Sequence, residues 1–362
     1  MSVLGWEGKH CETEKENGGM KKRFVVFAIL LAFAAAALWM TGGYAQQSSL
    51  LTAKKVAKGP VLDGKVDALW KQAKAIKIPL SAGANFPPNG GTEVTLKAVY
   101  TDTEVFFLAQ WGDKTRSYQR SPWKKQADGS WVKLKDPNDK GGDNNKVYED
   151  KVSVIWNISA PAFESAGCMV ACHAGEAGKP YGNMYTANPG ELADMWHWKA
   201  VRTNPVGQID DQYLDNTPYD KDKSPNAGRK TDPKTGGGYV DNQTDDKKMP
   251  KFAAKGNKPA PPYWILDKDK EPFDDGKYKA GNEVAGIMVA PFEGDRGDIS
   301  AKASWSKGVW TLEISRKLKT GSKYDVQFDD LSKQYAFGMA AFDNASVRHA
   351  FAGGPSKLAF GK

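Results

Sequence analysis

The strongest pattern along the chain is strict alternation of apolar and polar positions. Residues 94–100 (Val-Thr-Leu-Lys-Ala-Val-Tyr) alternate, Asp102-Thr103 form a turn signal, and residues 104–111 follow as a hairpin partner. The same period of two returns at 76–80, 151–158, 299–305, 309–314 and 335–342, with turn signals at Lys307-Gly308 and Lys319-Thr320-Gly321. Many short strands at regular spacing predict an antiparallel β-sandwich. Asp63-Gly64 predicts a turn, and residues 68–73 predict one short helical turn behind it. Long amphipathic periods are scarce, so the fold is expected to be mainly β with few short helices. Residues 112–147 and 203–280 are rich in Lys, Asp, Asn, Gly and Pro. They are expected to be long, irregular, solvated insertions.

The N-terminal 45 residues stand apart. Met20-Lys21-Lys22-Arg23 is basic, 24–40 is an unbroken apolar run, and Thr41-Gly42-Gly43-Tyr44-Ala45 supplies small residues for cleavage after Ala45. These are the parts of a secretory signal peptide, with Met20 as the expected start of translation. An uncleaved anchor over 21–40 is the alternative, because the run is near the lower length limit of a spanning helix. The mature chain, 46–362, is then a single domain that is periplasmic or otherwise exported. Contact with a membrane is expected only if the leader stays attached.

Composition removes several functions. The chain has 362 residues and a formal charge of +8, spread among acidic residues without a dense basic stripe, so no nucleic-acid partner is expected. There is no phosphate loop, dinucleotide fingerprint or serine-hydrolase elbow. The acidic runs 136–143 and 209–215 lack the spacing of a calcium-binding EF-hand loop and read as solvated turns. Three cysteines cannot build a disulfide framework, and Cys11 leaves with the leader.

The two remaining cysteines carry the chemistry. Cys168-Met169-Val170-Ala171-Cys172-His173 is one residue longer than C-x-x-C-H, the attachment signature of covalent haem. Two thiols add across the haem vinyl groups, and the adjacent His173 presents a ring nitrogen to the iron. A Cys168–Cys172 disulfide, a zinc site and a Cys–His nucleophile are the competing readings; zinc would need two further ligands from a chain nearly devoid of histidine. An electron-transfer haem needs a second axial ligand. His349, in the loop that follows the 335–342 strand, is the first choice. His197 is the second, and Met184, Met195 and Met339 are thioether options.

At these residues the chain resembles the haem-binding gamma subunits of type II DMSO-reductase-like molybdenum enzymes, such as ethylbenzene dehydrogenase. It is also similar to the related cytochrome c-552-like domain, which includes the haem subunit associated with nitrite oxidoreductase. The resemblance runs over most of 55–362. It is carried by Leu62-Asp63-Gly64-Lys65-Val66-Asp67-Ala68-Leu69-Trp70, by Phe107-Leu108-Ala109-Gln110-Trp111, and by Asp150-Lys151-Val152-Ser153-Val154. Asp194-Met195-Trp196-His197-Trp198-Lys199-Ala200 and Phe342-Asp343-Asn344 complete it.

The resemblance implies one haem in a pocket at the end of a sandwich. It also implies electron transfer, without catalysis by this chain, to or from iron–sulfur and molybdopterin subunits or a soluble redox partner. The better-known gamma subunits bind haem b through Met and Lys. Here the same regions carry Cys168, Cys172, His173 and His349, which implies haem c with two histidine ligands, or haem b if attachment fails. Trp196, Trp198 and Tyr185 are then expected to pack near the ring, and Lys199, Arg202 or Arg348 to pair with the propionates. The opening Asp-Gly-x-x-Asp-x-x-Trp is also similar to family 9 carbohydrate-binding modules. That similarity supplies the alternative, an exported sugar-binding module using exposed tryptophans.

Overall fold

The opening motif is held together by one buried carboxylate. Glu313 Oε2 accepts hydrogen bonds from the backbone N–H groups of Asp63 (3.0 Å) and Gly64 (2.9 Å), while Oε1 accepts from Trp70 Nε1 (2.9 Å). Asp67 caps the intervening 3₁₀ turn Ala68–Gln72 by accepting from Leu69 N. Trp70 is thereby locked wholly inside a small apolar cluster with Val99, Phe106 and Leu108. The Asp-Gly-x-x-Asp-x-x-Trp pattern is a structural clasp.

The structure, a computed structural model, describes residues 49–139, 146–173 and 184–362. The leader, and residues 140–143 of the first acidic run, lie outside the described residues. Within them no helix is long and apolar enough to cross a membrane.

A thirteen-stranded sheet organises the chain. One half contains Thr92–Tyr100, Glu104–Gly112, Val309–Lys317 and Ser300–Ser306, all antiparallel. The other half contains Tyr335–Phe342, Lys151–Asn157, Ala193–Lys199, Asp210–Leu214 and Arg229–Thr231, also antiparallel. Leu50–Lys55 and Ser356–Gly361 join the halves. They pair parallel with each other, and Leu50–Lys55 is parallel to Thr92–Tyr100 as well, so the sheet is mixed at its centre. Ile209 N donates to Ile299 O (3.0 Å) and Ala301 N to Gly207 O (2.8 Å), which links the far ends of the two halves.

Between the halves lies an aromatic core. Phe107 meets Trp156 and Trp196 at 5.7 and 5.8 Å between centroids, and Trp111 meets Trp198 at 5.9 Å. Such packing of two inner faces makes the fold a β-sandwich. The predicted strands are present with ends shifted by at most a few residues, and Tyr335–Phe342 matches at both ends. The turn at Lys307-Gly308 has positive φ at both residues (50° and 79°), as a tight hairpin between right-twisted strands requires.

The two long insertions are more ordered than their composition suggests. They supply strands Trp123–Lys125 and Trp131–Lys133 of one small sheet, and from Asp210–Leu214 to Lys270–Pro272 they add to the main sheet and to two other small ones. Polar strands such as Gly236–Asp241 lack an alternating apolar signal and are specified by pairing with Ile287–Glu293. The 209–215 run is not a solvated turn: it holds a strand in which Asp210 and Asp211 are fully buried.

Candidate functional site

Three neighbouring strands of the second half each turn one face to the core and the other to a cavity. Along Ala193–Lys199, Trp196 and Trp198 enter the core while Met195 and His197 face the cavity. Along Lys151–Asn157, Val152, Val154 and Trp156 face inward, and Ser153 and Ile155 outward. The register sets two rows across the strands, Gly338–Ile155–Met195 and Ala340–Ser153–His197. Small side chains at Gly338, Ala340 and Ser153 leave a shallow floor.

The Cys-x-x-x-Cys-His segment forms the wall. A four-residue helix, Phe163–Ala166, ends at Gly167, whose φ of 59° reverses the chain into the 3₁₀ turn Gly167–Val170. A Cβ at Gly167 would lie 3.0 Å from Pro355 N, so this entry requires glycine twice over. Cys172 N donates to Cys168 O (2.7 Å), which sets the cysteines one turn apart. Both are buried free thiols. Burial raises the Cys168 thiol to about 12, and burial, followed by the neighbouring Cys168, raises Cys172 well above the ordinary thiol range. Neutral, buried thiols do not suit a thiolate nucleophile.

The resulting cavity measures about 400 Å³, within the range of roughly 300–1,000 Å³ usual for small-molecule sites. It is lined by Cys168, Cys172, His173, His197 and His349, that is, by every cysteine and histidine among the described residues. Met184 and Met195 line it too, whereas the Met339 side chain, expected as a thioether option, is buried in the core between the half-sheets because it alternates with Gly338 and Ala340. His173 stacks on Phe351 at 3.8 Å and lies 5.3 Å from His349, centroid to centroid. His349 Nδ1 is 2.5 Å from Val347 O, a contact that favours the proton on Nδ1 and frees Nε2 to bind a metal. Burial lowers His173 to about 4. Burial, and then the neighbouring His173, lower His349 to about 3. Both are neutral, ligand-ready imidazoles at neutral pH. His197 is buried with neither ring nitrogen hydrogen-bonded. Burial first, and the charge of Lys199 second, hold its pKa well below the ordinary value.

Several expected neighbours are elsewhere. Trp196 and Trp198 are on the opposite face of their strand, because period-two geometry sends them into the sandwich. Lys199 is paired with Asp210 and Arg202 with Glu149, all four buried, so neither cation is available for a propionate. Arg348 is exposed and does not line the cavity. Tyr185 is not among the lining residues; its backbone N–H donates to Ala171 O (2.9 Å) and ties down the cysteine turn. The residue missed from sequence is Arg229, half-buried at the cavity beside Asn226. It sits in a polar insertion where nothing in the local pattern marks it.

Residues 67–352 match the family model described as ethylbenzene dehydrogenase. The chain belongs to the ethylbenzene dehydrogenase family. No curated protein sequence matches this family member. Solved structures similar to it include a family 9 carbohydrate-binding module from Caldicellulosiruptor kristjanssonii in complex with glucose. That module has 11% identity and a TM-score of 0.33, with 87% of this chain and 97% of that chain covered. A putative carbohydrate-binding protein from Bacteroides uniformis has 8% identity and a TM-score of 0.34, with 87% and 100% covered.

The residues present fit a haem. The cavity is largely apolar, its floor is stepped down by small residues, and its donors are neutral imidazoles. His197 is an orphaned polar group of the kind a buried ligand satisfies. The two thiols reach the cavity one turn apart with His173 next in sequence.

Proposed function

We propose that this chain is an exported electron-transfer protein that carries one haem c and serves as the haem subunit of a molybdopterin oxidoreductase complex. The observation that carries this reading is the convergence of Cys168, Cys172, His173, His197 and His349 on one apolar cavity. Cys168 and Cys172 would hold the porphyrin edge by thioether bonds. His173 and His349 would ligate the iron, with His197 the alternative to His349. The bound haem supplies a one-electron couple.

The chain's own residues set the conditions for that couple. The Val347 carbonyl orients His349, and Phe351 holds the plane of His173. Ile155, Met195 and Phe342 exclude water from the floor. Arg229, which lines the cavity, would supply a cation for a propionate. Two histidine ligands leave no open position for a substrate, so the reading is of electron transfer without catalysis by this chain. The iron–sulfur and molybdopterin subunits are the proposed partners, in keeping with the family.

The sugar-binding alternative rests on exposed tryptophans, and the described tryptophans are all buried or half-buried. The test is the visible spectrum of the exported protein made in a host with a cytochrome c maturation system. A Soret band and low-spin α and β bands are expected. Colourless, folded protein would overturn the reading.

A further inference from the structure

On the opposite face of the second half-sheet, away from the cavity, carboxylates from separate segments converge. Asp194, Asp211 and Asp325 each bring one oxygen to within 4.8 Å of the others. All three are at least 98% buried. Asp232, which follows strand Arg229–Thr231, is a further buried carboxylate at 1% exposure. Both of its oxygens lack a hydrogen-bond partner, and it lies close enough to Asp325 for the two carboxyl groups to interact directly. Asp298 abuts the same group, beside Asp211.

The hydrogen bonds that exist here are few. Asp194 Oδ2 accepts from Trp196 Nε1 and from Val326 N, both at 3.0 Å, and Asp211 Oδ1 accepts from Gln212 N at 3.1 Å. Seven carboxylate oxygens accept no hydrogen bond from a protein N–H group: Asp194 Oδ1, Asp211 Oδ2, Asp298 Oδ1 and both oxygens of Asp232 and of Asp325, of which Asp325 Oδ2 is ion-paired with Arg316. The cation within the group is Arg316, 3.0 Å from Asp325 and 3.7 Å from Asp194. One guanidinium cannot balance five acids, and buried unpaired carboxylates are costly.

A second buried acidic group shows the contrast. Asp113, Asp150 and Asp343 also converge. There the oxygens are occupied by Ser117 N, Trp310 Nε1, Asn344 N and Thr115, and Asp113 Oδ2 is the one fully buried oxygen left over. That group is closed by the protein's own donors; the Asp194 group is not.

We propose that Asp194, Asp211, Asp232 and Asp325, with Asp298 at the edge, form a structural binding site for a divalent hard cation, calcium by preference. Oxygen-only donors exclude the softer transition metals. Calcium takes 6–8 oxygens in flexible geometry, whereas magnesium keeps several of its waters, for which a fully buried group leaves little room. The ion would tie strand Ala193–Lys199 to Asp210–Leu214, the segment after Arg229–Thr231, and the loop bearing Asp325.

The test is metal analysis of the purified full chain, then thermal denaturation after chelation with and without added calcium chloride or magnesium chloride. One calcium per chain is expected. The unfolding midpoint should rise by several degrees with calcium, saturably, and far less with magnesium. Asp232→Asn should weaken the calcium response at least tenfold in concentration, while Asp113→Asn leaves it unchanged. The stoichiometry of the unaltered chain stands even if Asp232→Asn fails to fold. No bound calcium together with no midpoint shift at millimolar calcium overturns the proposal, as does an equal loss of response in both variants.

Discussion

The imidazoles of His173 and His349 lie 5.3 Å apart between ring centroids, although 175 residues separate them in sequence. One follows the second cysteine of the attachment segment and the other follows strand Tyr335–Phe342. Their approach is what turns a sequence motif into a site. Replacing His349 by Ala should leave haem attached but convert its spectrum toward high spin, restored by added imidazole. His197→Ala should keep the low-spin spectrum. The reverse result would move the distal role to His197.

Gly338, on the floor, lies directly against the attachment segment. A Cβ there would lie 3.2 Å from Cys168 Sγ and 3.4 Å from Ile155 Cγ2. Gly338→Val is expected to fold, at a cost of about 1–3 kcal/mol from overpacking, but to displace Cys168 and reduce haem content severalfold. Haem-to-protein absorbance ratio and denaturant unfolding measure the two effects separately. Equal haem content in the variant would show that the floor does not limit loading.

Trp196 belongs to the core, packed between Phe107 and Trp156 and donating to Asp194. Trp196→Ala should therefore cost about 3–5 kcal/mol of stability, as large-to-small core changes do. The haem spectrum of the folded fraction should be unchanged. A shifted spectrum at undiminished stability would place this side chain at the pocket after all.

The Asp113–Asp150–Asp343 group makes stability depend on pH. Burial, then the charge of Asp343, push Asp113 up to about 7 from an ordinary 3.8. Burial, then Asp113, raise Asp150 well above its usual range, and burial raises Asp343. A raised acid binds its proton more tightly when folded, so its contribution is complete below pH 4 and is lost as pH climbs to about 7. Asp113→Asn removes one such proton. Relative to the unaltered chain, its unfolding midpoint should gain about 2 °C or more between pH 5 and pH 8. Parallel pH profiles for the two proteins would contradict the assignment.

Much of the sandwich was legible because its core strands alternate. Residues 94–100, 104–111 and 335–342 needed only the period of two. The same rule, applied to Asp194-Met195-Trp196-His197-Trp198, would have sent the tryptophans inward and His197 toward the cavity. The aromatic bulk of the segment masked its register. The attachment segment was legible as a spacing, and the fold brings its residues together with His349. Arg229 and the strands of the polar insertions were not legible, since pairing partners far along the chain specify them. The pairing of Lys199 with Asp210 and Arg202 with Glu149 was hidden for the same reason: each acid looks like a surface residue until the sheet buries it.

Covalent attachment of haem at Cys168 and Cys172 is tested most directly by extraction of the purified, exported protein with acidified acetone. Colour is predicted to stay with the polypeptide in the unaltered chain and to pass into the solvent when both cysteines are replaced by serine. Haem that leaves the unaltered chain as readily as the double variant would contradict it.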